Sequence, residues 1–156
     1  PAGIAVARTA QEALRKIADA EAVFVSRGDD SGTHNRERSL WGAIAANLDQ
    51  KNGWYRSVGA GMGAALNTAS GMNAYIMSDR ASWLNFGNKG GLAMLYAGDP
   101  ALFNQYAYLP VNPLLHRHVK TTQAKNLEAW LTSSRAKELI NNYQIDGEKL
   151  FFFNAE

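Results

Sequence analysis

Ser26-Arg27-Gly28-Asp29-Asp30-Ser31-Gly32-Thr33 gathers into one short run the residue types that hold an anion. Arg27 offers a planar fork suited to two oxygens of a tetrahedral oxyanion. Ser31 and Thr33 add hydroxyl donors, and Gly32 lets the backbone approach closely. A helix starting here would aim the unpaired amides of its first turn at the same point, where the helix dipole places partial positive charge. Asp29, two residues after Arg27, either holds the guanidinium in place or accepts the proton of a protonated oxyanion. Ser26 supports the group from the strand side. The plain alternative is an N-capped helix with a surface ion pair, but this density of polar and small residues at a strand end favours an anion site.

Two further patterns bear on chemistry. Gly59-x-Gly61-x-x-Ala64 matches the dinucleotide-binding pattern, with Asp79 at the spacing that would hold a ribose. The strand before it is weak and the helix after it is stopped by Gly71. A dinucleotide-binding enzyme is thus the less favoured reading, and the alternative is a second anion-facing helix start or a tight turn with close packing. Ser31, His34 and Asp29 could be assembled into a hydrolase group, but Ser31 sits at a helix end and not on the strained elbow of a nucleophile. His116-Arg117-His118 has neither cysteine nor a carboxylate cluster to complete a metal site. No catalytic residue, metal or cofactor is expected.

Positioning these residues requires strands that alternate with helices. Thr9 and Glu12 form a capping box, and Ala13, Leu14 and Ile17 follow at helical spacing, which predicts a helix over Thr9–Ala20. Ala22–Ser26 is an apolar run of strand formers, and a helix with Leu40, Trp41, Ile44 and Leu48 on one side follows the anion segment. Trp54–Val58 reads as a weak strand, then comes a helix ending near Gly71, then a strand at Ala74–Ser78. Asp79 is placed to cap a helix carrying Trp83, Leu84 and Phe86. Leu92–Tyr96 predicts another strand and Tyr106–Val111 an extended segment. Helices over Thr121–Leu131 and Ser134–Tyr143 precede a final strand at Leu150–Phe153. The expectation is an α/β fold with a mixed or parallel sheet flanked by helices, plus C-terminal helices and a strand, as a single domain over 1–156.

Composition narrows the partners. The chain has 156 residues, 46% hydrophobic and 19% charged, which supplies enough apolar surface for a packed core and argues against disorder. No stretch approaches the ~20 apolar residues of a membrane span. A net charge of +2 makes nucleic acid an unexpected partner, and the absence of cysteine removes disulfides and thiolate chemistry. No signal peptide is read at Pro1.

Three blocks resemble the periplasmic tungstate-binding proteins of bacterial ABC transporters. They are Phe24 to His34 with Leu40-Trp41, Gly61-Met-Gly-Ala-Ala-Leu-Asn67, and Ala74-Tyr75 with Ser78-Asp-Arg80 and Trp83-Leu84. Lesser matches at Gly98-Asp-Pro100, Leu102-Phe-Asn104, Val111-Asn-Pro113 and Leu150-Phe-Phe152 extend the similarity in order along nearly the whole chain. The core from Arg27 to Thr33 is also similar to the anion segment of phosphate-binding periplasmic proteins. The resemblance implies one lobe of a two-lobed fold that closes on a tetrahedral oxyanion such as tungstate or molybdate. It further implies delivery to an ABC permease, peripheral to the membrane, in the periplasm or outside the cytoplasm. It carries Arg27 over as the anion holder, with the Ser31-Gly32-Thr33 helix start in support and Gly61 to Gly63 facing the cleft.

By the same resemblance Pro1 falls within the second lobe, so the first lobe and half of the anion cage are expected to be absent. A half-site in water is expected to bind near the millimolar range, and apolar surface left by the absent lobe is expected to favour a homodimer. The rival expectation is an interaction or oligomeric protein that keeps the fold without transport.

Overall fold

The computed structural model describes residues 2–48 and 53–155; Pro1 lies outside them. The chain divides into two compact units, Pro1–Phe103 and Asn104–Glu156. Every residue of the anion segment and of the glycine-rich loop belongs to the first.

The first unit begins with a short 3-10 turn and then α1 (Ala10–Asp19). Thr9 Oγ1 accepts the Glu12 amide at 3.0 Å, as the capping spacing predicts. The reciprocal arm reaches one residue further back, with Glu12 Oε2 accepting from Arg8 N at 2.9 Å. Ala10, Ala13, Leu14 and Ile17 form the buried stripe of α1. β1 (Phe24–Ser26) is buried throughout, as befits a central strand of a parallel sheet covered on both faces. α2 (Gly32–Ala43), β2 (Tyr55–Ser57), α3 (Met62–Met72), β3 (Tyr75–Ile76) and α4 (Arg80–Asn85) follow.

The strand order is β2-β1-β3, all parallel, with Phe24 opposite Tyr55 and Tyr75, and Ser26 opposite Ser57. Successive side chains of a strand point to opposite faces. Phe24 therefore enters the core under α1 and α2, whereas Val25 enters the one under α3 with Ala65, Ala69 and Ala74. The first core is aromatic: Phe24 and Trp41 meet edge-on at 5.1 Å and Phe24 stacks on Tyr55 at 6.0 Å. The second is built of alanines, which let α3 lie close against the sheet. Asn73, left-handed at φ 49°, ends α3 two residues beyond Gly71.

Asp79 caps α4 as predicted, its Oδ2 accepting from Ser82 N at 2.9 Å. The predicted strand at Leu92–Tyr96 is not formed. Leu92 packs on the α3 core, but no neighbouring backbone pairs with this segment among the described residues, and Met94 and Leu95 face outward.

The second unit holds α5 (Thr121–Leu131) and α6 (Ser134–Asn142), with Ser133 capping the latter. Its strands are β4 (Gln144–Ile145) and β5 (Glu148–Lys149), an antiparallel pair. They turn on Asp146-Gly147, both left-handed, the backbone that a tight hairpin requires. The expected strand at Leu150–Phe153 thus gives way to one ending at Lys149. The phenylalanines beyond it pack without pairing, Phe151 lying 5.9 Å from Tyr106 and 6.0 Å from Tyr143. Tyr106–Val111 has no regular secondary structure. Among the described residues no helix is long and apolar enough to cross a membrane.

Candidate functional site

Parallel strands place the loops that follow them at one edge of the sheet, and here two helices start at that edge directly after neighbouring strands. Val58 N donates to Ser26 O at 3.0 Å and Ala60 N to Arg27 O at 3.1 Å, so the anion segment and the glycine-rich loop are joined backbone to backbone. The approach is close. Gly28 has φ +63°, and a Cβ there would lie 1.7 Å from Ser57 Oγ. Asp30 is also left-handed, at φ 56°, and the chain turns from β1 into α2 through these two residues.

The turn fixes the side chains. Asp29 Oδ2 accepts from Arg27 Nη2 at 2.5 Å and from Nε at 3.2 Å, while Oδ1 accepts from Ser31 N at 3.3 Å. The Ser31 hydroxyl, the Arg27 guanidinium and the Ser31 amide together hold the Asp29 carboxyl well below its usual range, at about 2. Both side chains of the pair are mostly covered, 18% and 19% exposed, which keeps the guanidinium in one orientation. Arg27 Nη1 has no acceptor among the described residues.

Ser31 is the N-cap of α2. Its Oγ accepts from His34 N at 3.3 Å and its carbonyl from Asn35 N at 2.8 Å. The capping bonds consume those two amides and leave those of Gly32 and Thr33, at the head of the helix, directed beyond it. Gly61 occupies the equivalent position on α3, without a side-chain cap. Met62 and Gly63 supply the first-turn amides there. The Met62 side chain turns inward and is buried with Leu66 and Phe86, so only its backbone stands at the edge.

The sequence-predicted residues thus separate into three groups. Arg27, Asp29 and Ser31 form one hydrogen-bonded cluster, with Gly32 and Thr33 next to it. Gly61, Met62 and Gly63 are joined to it through the Ala60–Arg27 bond. Ser26 lies behind, fully buried. The hydrolase arrangement does not form: His34 Nδ1 accepts from Asp30 N at 3.1 Å, and Ser31 Oγ is engaged by the His34 backbone. Asp79, the ribose candidate, has its Oδ2 committed to the α4 cap.

Sequence reasoning missed what supports the loop from beneath. Glu37 is 2% exposed, and its Oε1 accepts from Tyr55 Oη at 2.8 Å and Trp41 Nε1 at 3.2 Å. Burial pushes the Glu37 carboxyl up, against the opposing effect of the nearby Ser26 hydroxyl, the Tyr55 hydroxyl, His34 and the Trp41 indole. The one available signal was the helical spacing of Glu37 and Trp41.

Residues 1–135 match the model of the PBP superfamily domain. The tungstate-binding protein TupA of Peptoclostridium acidaminophilum is 39% identical over 145 residues, covering 92% of this chain and 50% of that protein. The structure of the tungstate-binding protein TupA from Desulfovibrio alaskensis G20 superposes with a TM-score of 0.85 at 39% identity, covering 100% of this chain and 64% of that one. That of the tungstate ABC transporter from Geobacter sulfurreducens gives 0.75 at 38% identity, with 92% and 60% covered. The chain spans about half the length of the curated relatives it matches.

Proposed function

The chain belongs to the PBP superfamily, and from that premise we propose that it is the oxyanion-binding lobe of a solute-binding protein for ABC import, with tungstate or molybdate as its ligand. It acts by binding, without catalysis or a cofactor. Arg27 holds the anion, the Gly32 and Thr33 amides with the Thr33 hydroxyl complete the near side, and the Gly61–Gly63 backbone borders it. The partner is a permease, and the setting is outside the cytoplasm. In this reading both units serve one functional domain.

The observation that carries the reading is the commitment of Asp29. Both of its oxygens are occupied by Arg27 and Ser31, and its carboxyl stays ionised at neutral pH. With Asp29 turned to Arg27 and Ser31, the segment offers an anion mainly donors. Phosphate near neutral pH carries a proton that needs an acceptor, whereas tungstate and molybdate carry none. Names of the relatives point to the same ligand class.

Each charge-assisted bond contributes about 1.5–3 kcal/mol, against association costs of about 4–15 kcal/mol. We therefore expect this chain alone to bind tungstate at about the millimolar level. Calorimetry at neutral pH should show tungstate preferred over phosphate by about tenfold or more; equal affinity, or a preference for phosphate, contradicts the reading. Exposed Leu109, Leu114 and Leu115 support self-association through the second unit. Sedimentation should show a dimer at high concentration, and a strict monomer would count against it.

A further inference from the structure

A carboxyl group with 2% exposure and no lysine or arginine paired with it among the described residues needs a reason to be there. Glu37 lies five residues into α2, about 7 Å along the axis from the helix start that faces the oxyanion. Its Oε1 is satisfied twice, by Tyr55 and Trp41. Ser26 Oγ, next in chain to Arg27, is buried and has no hydrogen-bond partner of good geometry. It nevertheless bears on the Glu37 carboxyl and the Tyr55 hydroxyl, opposing the effect of burial on both. An orphaned buried hydroxyl and a carboxyl with a spare oxygen therefore share one dry compartment.

We propose that Glu37 is a positioning residue for the oxyanion site in its neutral acid form, its Oε2 hydroxyl donating to Ser26 Oγ and so fixing the strand end that carries Arg27. The role rests on the oxyanion reading above. A neutral acid meets three demands together: it accepts from Tyr55 and Trp41, it donates to Ser26, and it places no negative charge behind a bound dianion. An ionised Glu37 would instead accept from the Ser26 hydroxyl, but it would hold an unpaired buried charge behind the ligand and repel it through the helix.

The surroundings favour the neutral form. β1 contributes Phe24 and Ser26, and β2 contributes the Tyr55 hydroxyl, which burial also keeps protonated. α1 presents Ala13, Leu14 and Ile17. On α2 itself His34 lies one turn nearer the site and opposes the rise of Glu37, and Arg38 opposes that of Tyr55. Beyond them stands the Arg27–Asp29 pair, balanced in charge.

The test combines carboxyl-resolved NMR of the native chain with tungstate titrations of Glu37→Gln, Glu37→Ala and Ser26→Ala. Glu37 should be protonated at neutral pH. Glu37→Gln, which keeps an acceptor and a donor, should bind within about twofold of native, while Glu37→Ala and Ser26→Ala should each lose about tenfold, the worth of one hydrogen bond. Native affinity should fall as pH rises through the Glu37 titration. Glu37→Gln, which retains His34, should lack that component. A Glu37 ionised at neutral pH, or a Gln variant as weak as the Ala variant, overturns the role while leaving the oxyanion reading intact. A native chain with Glu37 neutral that binds no oxyanion overturns the site and, with it, this role.

Discussion

The loops that leave β1 and β2 use the same backbone device and fill it with opposite chemistry. Both run from a parallel strand into a helix at one sheet edge, and both begin with a left-handed glycine, Gly28 in one and Gly59 in the other. After β1 the side chains take over: Asp29 clamps Arg27, Ser31 caps α2, and Glu37 stands beneath. After β2 the helix starts on Gly61 with no side-chain cap, and Met62 points into the core. Topology supplies unpaired amides to both loops. Only the first adds a fixed cation and a committed carboxylate, and the oxyanion proposal therefore assigns selection among anions to it.

Removing that cation is the most direct way to break the contrast. Arg27→Ala should lower tungstate affinity by about 3 kcal/mol, more than a hundredfold, with circular dichroism unchanged. Next in size is a stability contrast between glycines. Gly28→Ala should destabilise the first unit by about 2–3 kcal/mol in urea unfolding, because its φ is +63° and the new Cβ would meet Ser57 Oγ. Gly61→Ala should cost far less, since its φ is −61° and nothing lies within 4 Å of the added carbon.

Ser31→Ala removes the cap of α2 and should cost about 1 kcal/mol. A smaller effect, confined to acid, comes from Asp29. Its carboxyl titrates at about 2 in the fold against an ordinary 3.8, so its contribution is present above about pH 4 and is lost as pH falls through about 2. Asp29→Asn should flatten that part of the acid unfolding curve. Gly61→Ser would give α3 the cap that α2 already has, raising stability by a few tenths of a kcal/mol. If tungstate binding also weakens, the second loop contributes its amides directly.

What the sequence discloses follows from how local each interaction is. The caps at Thr9 and Asp79 span three residues and were legible from spacing, as was the apolar run that became β1. The parallel sheet followed from the alternation of strands and helices. Leu92–Tyr96 has a strand's composition, but a strand also needs a neighbour, and pairing is non-local. The hairpin at Asp146-Gly147 carried its turn signal openly, and the pull of the phenylalanines beyond it shifted the expected strand too far along the chain. Whether Asp29 faces Arg27 or the ligand was open in the sequence, because either orientation suits a two-residue spacing. The burial of Glu37 was hidden for a similar reason: its partner Tyr55 lies eighteen residues away on another strand.

The central claim is that a guanidinium held by Asp29 and the free amides of α2 converge on an unprotonated dianion. Amide-resolved NMR titration with tungstate tests it most directly. The account predicts that the largest shifts fall on Gly32 and Thr33, that they vanish in Arg27→Ala, and that phosphate reproduces them only at far higher concentration. Shifts centred elsewhere in the chain, or unchanged when Arg27 is replaced, would contradict it.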